Sequence, residues 1–193
     1  MQLGQFGAIR NLRRTSLNIT VEQAENFCNW FTERYNGVRR KKDPELVFRL
    51  PGADEWEYLA SGGLRQSSYP WGGPYANNAR GSWLCNFSPV EQRWILDYDD
   101  TTFLVDGITQ DQIREAAGQD GYYVTAPVDS YFPNDYGLYN MAGNVAEMVS
   151  DRDVVKGGSW GSFVQKTTIQ SEDPFEGPSP FVGFRMIASV VKK

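Results

Sequence analysis

The sequence predicts an α+β domain, irregular and loop-rich, with few short helices and strands. Aromatic residues make up 14% of the 193-residue chain and stand beside 19 Gly and 10 Pro, while charged residues reach only 22%. That balance favours a core of Trp, Tyr and Phe wrapped by turns over a helical bundle. One amphipathic helix stands near the start, and the remainder alternates brief apolar runs with clusters of Gly, Pro, Asn and Asp. The length suits a single domain with a full core.

The elements follow in order. Residues 20–36 form a helix: Thr20 and Gln23 make a capping box, and Val21, Ala24, Phe27, Cys28, Phe31 and Tyr35 recur at helical spacing. Asn36-Gly37 supplies its stop. A second helix runs from about Ala53 to Ala60 after Pro51, with Trp56, Leu59 and Ala60 inward. A third is expected at 110–117, with Thr109 and Gln112 as its capping box and Gly118 as its end. Turns fall at Tyr69-Pro70-Trp71-Gly72-Gly73, Asp120-Gly121, Pro133-Asn134-Asp135 and Gly177-Pro178-Ser179-Pro180. Val154 to Trp160 and Phe181 to Val191 read as the clearest strands.

Charge and composition exclude several partners. A net charge of −5 and a pI near 4.8 argue against nucleic acid, whose phosphates need clustered Lys and Arg. The basic run Arg39-Arg40-Lys41-Lys42 falls between two elements and reads as a solvated tip. No stretch approaches the length of a membrane-spanning helix. Met1 to Arg14 does not read as a signal peptide, because its apolar run is short and Arg10, Arg13 and Arg14 lie beyond it. Two cysteines, Cys28 and Cys85, cannot build a disulfide framework and leave the redox compartment open. Cys28 reads as a small buried thiol on its helix.

The chain has no His, which removes the usual general base, Ser-His and Cys-His nucleophile pairs, and His-ligated metals. The carboxylate pairs Asp54 with Glu57 and Asp151 with Asp153 sit in helix-start and turn contexts, where capping and solvation account for them. Hard oxygen donors are better represented. The run Gly137 to Met148 offers the amide oxygen of Asn140, small residues that leave carbonyls accessible, and the carboxylate of Glu147. Calcium takes about 6–8 such oxygens. The alternative is an Asn-rich turn entering a strand, with Glu147 paired to an arginine.

This run resembles the signature of the formylglycine-generating enzyme family, also called sulfatase-modifying factor, whose fold is a variant of the C-type lectin fold. The likeness extends from about Leu17 onward. Val21 to Trp30 is similar to the family's first helix, and Arg49-Leu50-Pro51-Gly52-Ala53-Asp54-Glu55-Trp56-Glu57-Tyr58 to its Arg-Leu-Pro segment. Tyr69-Pro70-Trp71-Gly72, Thr125-Ala126-Pro127-Val128, Lys156-Gly157-Gly158-Ser159-Trp160 and Gly183-Phe184-Arg185 follow in family order. Residues 1–16 then read as an N-terminal extension or the start of a fragment, and 17–193 as the domain.

The resemblance implies two calcium sites. One takes the side chains of Asn140 and Glu147 with the carbonyls of Gly143 and Val145. The other takes the side chains of Asn86 and Asp120 with the carbonyls of Phe87 and Tyr122, clipping the ends of the insertion 88–119. The family's oxidase chemistry needs a copper-binding cysteine pair, and Ser162 and Thr167 stand at those positions. Hydroxyls neither bind Cu(I) nor form a redox disulfide, so the resemblance implies a non-catalytic member. The wording of residues 120–128 and 140–147 is most similar to non-enzymatic, gliding-motility-type members from Bacteroidetes. Family members are usually extracytoplasmic.

Most of the family's strand-rich N-terminal portion has no counterpart here. That implies exposed sheet edges, and either a fragment of a longer protein or a protein partner that supplies the missing part. The segment 161–182, with Phe163, Phe175 and Phe181, is the expected contact region. Two rival readings remain: a ligand-displaying lectin-type protein, with exposed aromatics near its C-terminal loop, and a divergent oxidase.

Overall fold

The computed structural model describes residues 17–88, 122 and 124–191. Helix α1 spans Val21–Val38, strand β1 Leu46–Arg49 and helix α2 Ala53–Ser61. Five short strands follow: β2 Ala146–Met148, β3 Val154–Lys156, β4 Glu172–Pro174, β5 Val182–Gly183 and β6 Ile187–Val190. The result is α+β and loop-rich, as the composition predicts. The expected helix at 110–117 lies outside the described residues.

Helix α1 starts where the capping box places it, with Thr20 Oγ1 accepting from Gln23 N–H at 3.1 Å and Gln23 Oε1 accepting from Thr20 N–H at 2.9 Å. It does not stop at Asn36-Gly37. The Asn36 side chain reaches β1 instead, donating to Leu46 O and accepting from Leu46 N–H, while Thr32 Oγ1 accepts from Phe48 N–H. These side chains close one edge of β1 as a neighbouring strand would. Cys28 is buried under α1, and burial, with the charge of Glu25 adding to it, pushes its thiol up to about 11.

Helix α2 has nine residues, too few to persist without support at its ends. Its N-cap, Gly52, has no side chain, so Asp151 Oδ1 accepts from Ala53 N–H at 2.9 Å and Glu55 Oε2 from Gly52 N–H at 2.9 Å. At the other end Asn134 Nδ2 donates to Leu59 O and Ala60 O. These remote caps satisfy orphan groups at both termini. Trp56 and Ala60 are fully buried, against Met141, Val149 and Ile169.

Two sheets flank this core. In one, β1 pairs antiparallel with β6. In the other, the order is β4-β3-β2-β5, with β2 and β5 parallel. Both strand expectations need correction. The run from Val154 ends at Lys156, because Gly157 and Gly158 adopt left-handed φ of 83° and 64°. The run from Phe181 divides between β5 and β6, which belong to different sheets.

Candidate functional site

Trp56 and Arg185 hold Glu147 through both oxygens of its carboxylate. Glu147 sits on β2 and is nearly buried. Its Oε2 accepts from Trp56 Nε1–H at 2.7 Å and from Arg185 Nε–H, while Oε1 accepts from Arg185 Nη2–H at 2.7 Å. Arg185 Nη2 also donates to Tyr139 O at 3.2 Å and Asn140 O at 3.4 Å. The arginine pairing that the residues alone left open is therefore present.

It leaves room for more. A carboxylate offers about four lone-pair positions, and the three bonds leave one, on Oε1. Asn140, at φ 51°, donates from Nδ2 to Pro127 O at 3.2 Å, but its Oδ1 is buried with no hydrogen-bond partner. An orphaned buried oxygen and, seven residues on in the same segment, a carboxylate with a spare lone pair are donors of the kind a hard cation takes. Gly143 O accepts from Val145 N–H at 2.9 Å, and a carbonyl has a second lone pair. Asn140, Gly143, Val145 and Glu147 thus share one loop-to-strand segment, with two side-chain oxygens available.

The other expected set is only partly described, since Asp120 lies outside the described residues. Asn86 is buried and bridged to Gly143. Its Nδ2 donates to Val124 O at 2.7 Å and its carbonyl accepts from Asn144 N–H at 2.7 Å. Phe87 is buried edge-on to Trp83. Tyr122 Oη accepts from Ser130 Oγ at 3.3 Å.

Gly143 joins the two stretches. A Cβ there would lie 2.2 Å from Asn86 O, so only glycine admits the approach. Asn144, not among the expected ligands, holds the join: its Oδ1 accepts from Ala126 N–H at 2.8 Å and its Nδ2 donates to Ala126 O at 3.2 Å. The signal in the sequence was the Gly143-Asn144 pair, two residue types that favour αL positions, and Asn144 adopts a left-handed φ of 66°.

At Ser162 and Thr167, the positions that the resemblance assigns to a cysteine pair, both hydroxyls are engaged. Ser162 Oγ accepts from Ser159 N–H at 3.0 Å and lies 3.1 Å from Ser159 Oγ. Thr167, fully buried, donates to Val164 O at 2.8 Å. Cys85 Sγ sits 3.9 Å from Thr167 Oγ1, a neighbour that sequence separation concealed. The expected contact segment 161–182 proves more ordered than its sequence suggests. It carries a 3₁₀ turn at Val164–Thr167, β4 and part of β5, and its three phenylalanines are half-buried. Phe181 packs on Trp160 at 4.5 Å and Phe175 against the core. Among the described residues the most exposed aromatics lie elsewhere, at Trp30, Tyr58, Tyr75 and Phe132.

A second polar network, unforeseen from sequence, surrounds Lys156. The lysine is fully buried, with Nζ bonded to Glu57 at 2.6 Å and 3.5 Å from Glu172. Arg152 bridges Glu172 to Asp54. Of the carboxylates assigned from sequence to capping and solvation, Asp151 caps α2, whereas Asp54 and Glu57 are held in ion pairs.

Several known proteins are similar to this chain. Formylglycine-generating enzyme of Thermomonospora curvata is 43% identical over 103 residues, 53% of this chain and 27% of that protein. Inactive C-alpha-formylglycine-generating enzyme 2 of Bos taurus is 31% identical over 121 residues, 58% of this chain and 32% of that one. The chain thus spans roughly a quarter to a third of the length of these relatives. Among solved structures, PvdO from Pseudomonas aeruginosa superposes with a TM-score of 0.61 at 18% identity, over 93% of this chain and 63% of that one. Treponema denticola variable protein 1 gives 0.59 at 18% identity, over 97% and 76%. The sulfatase-modifying factor enzyme 1-like domain matches residues 13–190, and the chain belongs to that family.

Proposed function

We propose that this chain is a non-catalytic, calcium-stabilised binding or assembly module of its family. The observation that carries the reading is the chemistry at the oxidase positions. Ser162 and Thr167 spend their hydroxyls on local hydrogen bonds, and one neighbouring thiol, Cys85, provides neither a Cu(I)-binding pair nor an intramolecular redox disulfide there. Calcium at Asn140, Gly143, Val145 and Glu147 would satisfy the orphaned amide oxygen and tie the loop to β2. A second ion at Asn86, Phe87, Asp120 and Tyr122 belongs to the same proposal. A likeness to gliding-motility-type lipoproteins fits a structural role of this kind.

A protein partner is supported by how the sheet edges are treated. Strand β4 reads Glu-Asp-Pro, charged and lacking a donor, which guards its edge. The outer edge of β1 is closed by Thr32 and Asn36. In the β1–β6 pair, Glu45 accepts from Val191 N–H, so odd-numbered residues carry the ladder and the groups of Ala188 and Val190 face outward. Among the described residues nothing pairs with them. Val190 is 60% exposed, and the strand carries no charge or proline. A strand from a partner chain would complete this sheet.

The test is incubation of the copper-supplied chain with a cysteine-containing sulfatase peptide, beside amide hydrogen exchange on the chain alone. No aldehyde should form, and Ala188 and Val190 should exchange at least about tenfold faster than Val47 and Ser189. An aldehyde product would overturn the non-catalytic reading. Equal protection at the four amides would remove the open edge.

A further inference from the structure

The Glu147 carboxylate already has a cation. Arg185 binds both of its oxygens, and its Nη2 also reaches the carbonyls of Tyr139 and Asn140, in the loop expected to ligate calcium. The Arg185 side chain is 20% exposed and that of Glu147 9%, so water screens the pair poorly. The charges of Glu147 and Arg185 cancel before any metal arrives. Among the described residues no group of three or more Asp, Glu, His or Cys gathers to offset a divalent ion. Calcium would share one carboxylate with a guanidinium, taking only the remaining lone pair on Oε1 together with Asn140 Oδ1 and carbonyls.

We infer that Arg185 is a built-in counter-cation that competes electrostatically with calcium at Glu147, so that the segment folds without metal and binds it weakly. This rests on the calcium reading above. Calcium affinity follows the number of ligand charges, and a fixed positive neighbour lowers the effective number. The Trp56 indole contributes the other half of the device. By holding Oε2, it keeps the carboxylate oriented when either cation changes. Arg185 is thereby a residue that sets metal affinity, as distinct from a ligand.

The experiment compares wild type, Arg185→Met, Arg185→Lys and Glu147→Gln by equilibrium dialysis with radioactive calcium and by thermal melting in calcium and in chelator. Arg185→Met should melt lower in chelator, recover in calcium, and bind at least about tenfold more tightly than wild type. Arg185→Lys should keep the weak affinity, because it keeps the charge while losing the fork. Glu147→Gln should remove calcium binding at this site. Should Arg185→Met be unfolded in chelator, refolding on calcium titration, followed by circular dichroism, supports the competition, and failure to refold overturns it. Equal affinity in wild type and Arg185→Met would remove the competition while leaving the calcium site standing. No calcium bound by either, at millimolar concentration, would overturn the calcium reading and the competition with it.

Discussion

Lys156 tests whether buried charge holds this fold together. Its Nζ lies 2.6 Å from Glu57, 3.5 Å from Glu172 and 6.0 Å from the Trp56 ring centroid, and the side chain is fully buried. Its partners are different. The Glu57 and Glu172 side chains keep 33% and 32% exposure, and Arg152 remains 2.7 Å from Glu172. Lys156→Met preserves most of the stem's packing and leaves only Glu57 short of a cation, in reach of water. The loss should then fall below the roughly 3–5 kcal/mol of a broken buried pair, at about 1–2 kcal/mol. Removing the acids is harsher. Glu57→Met with Glu172→Met strands an ammonium that water does not reach, and the cost should approach about 3–5 kcal/mol. Urea unfolding is the suitable assay, because an uncharged denaturant leaves ion pairs unscreened. If Lys156→Met costs as much as the double variant, unequal burial of the partners does not govern this network.

Two further outcomes follow from single contacts. Gly143→Ala places a Cβ 2.2 Å from Asn86 O at a φ of 69°, and should cost about 4 kcal/mol or more in urea unfolding; a loss under about 1 kcal/mol would mean the 86 and 143 stretches separate easily. The Arg49 guanidinium, with Gly52 N–H assisting, holds the Glu55 carboxyl down to about 2 from its ordinary 4.5. A depressed pKa contributes stability above the unfolded value, lost as pH falls from about 4.5 toward 2. The Glu55 side chain is 48% exposed, so solvent limits the effect to under about 1 kcal/mol. Wild type and Glu55→Gln should therefore differ at pH 6 and converge near pH 2; a gap that persists at pH 2 would place the effect outside this ion pair.

Several elements were legible because their causes are local. The capping box of Thr20 and Gln23 fixes the start of α1, and Pro51 with the apolar spacing of Trp56 and Ala60 fixes α2. The basic run after α1 is a loop tip as expected, with Arg40 bonded to Asp43. Cys28 is buried because it follows Ala24 by one helical turn. The end of α1 was misjudged. Asn36 reads as a stop by propensity, but its amide gains two bonds to Leu46 across the loop, which outweighs a local preference worth a fraction of a kcal/mol. The run from Val154 was too long for a similar reason: the close approach of Gly157 to Trp56 requires a backbone turn that hydrophobicity does not signal.

For the candidate site, the sequence by itself determined the donor types: Asn140, Glu147 and the small residues between them, and hydroxyls at 162 and 167 where the family carries thiols. Tertiary structure decided what those donors face. Arg185 reaches Glu147 across 38 residues, Trp56 across 91, and Lys156 meets Glu57 across 99. No local pattern encodes such pairs, since each depends on which strands lie side by side. The division of residues 181–191 between two sheets brings Arg185 to Glu147 and leaves the backbone groups of Ala188 and Val190 unpaired among the described residues. Composition supplied the charges, and burial at the meeting of β2, α2 and the β5–β6 link decided which of them had to pair.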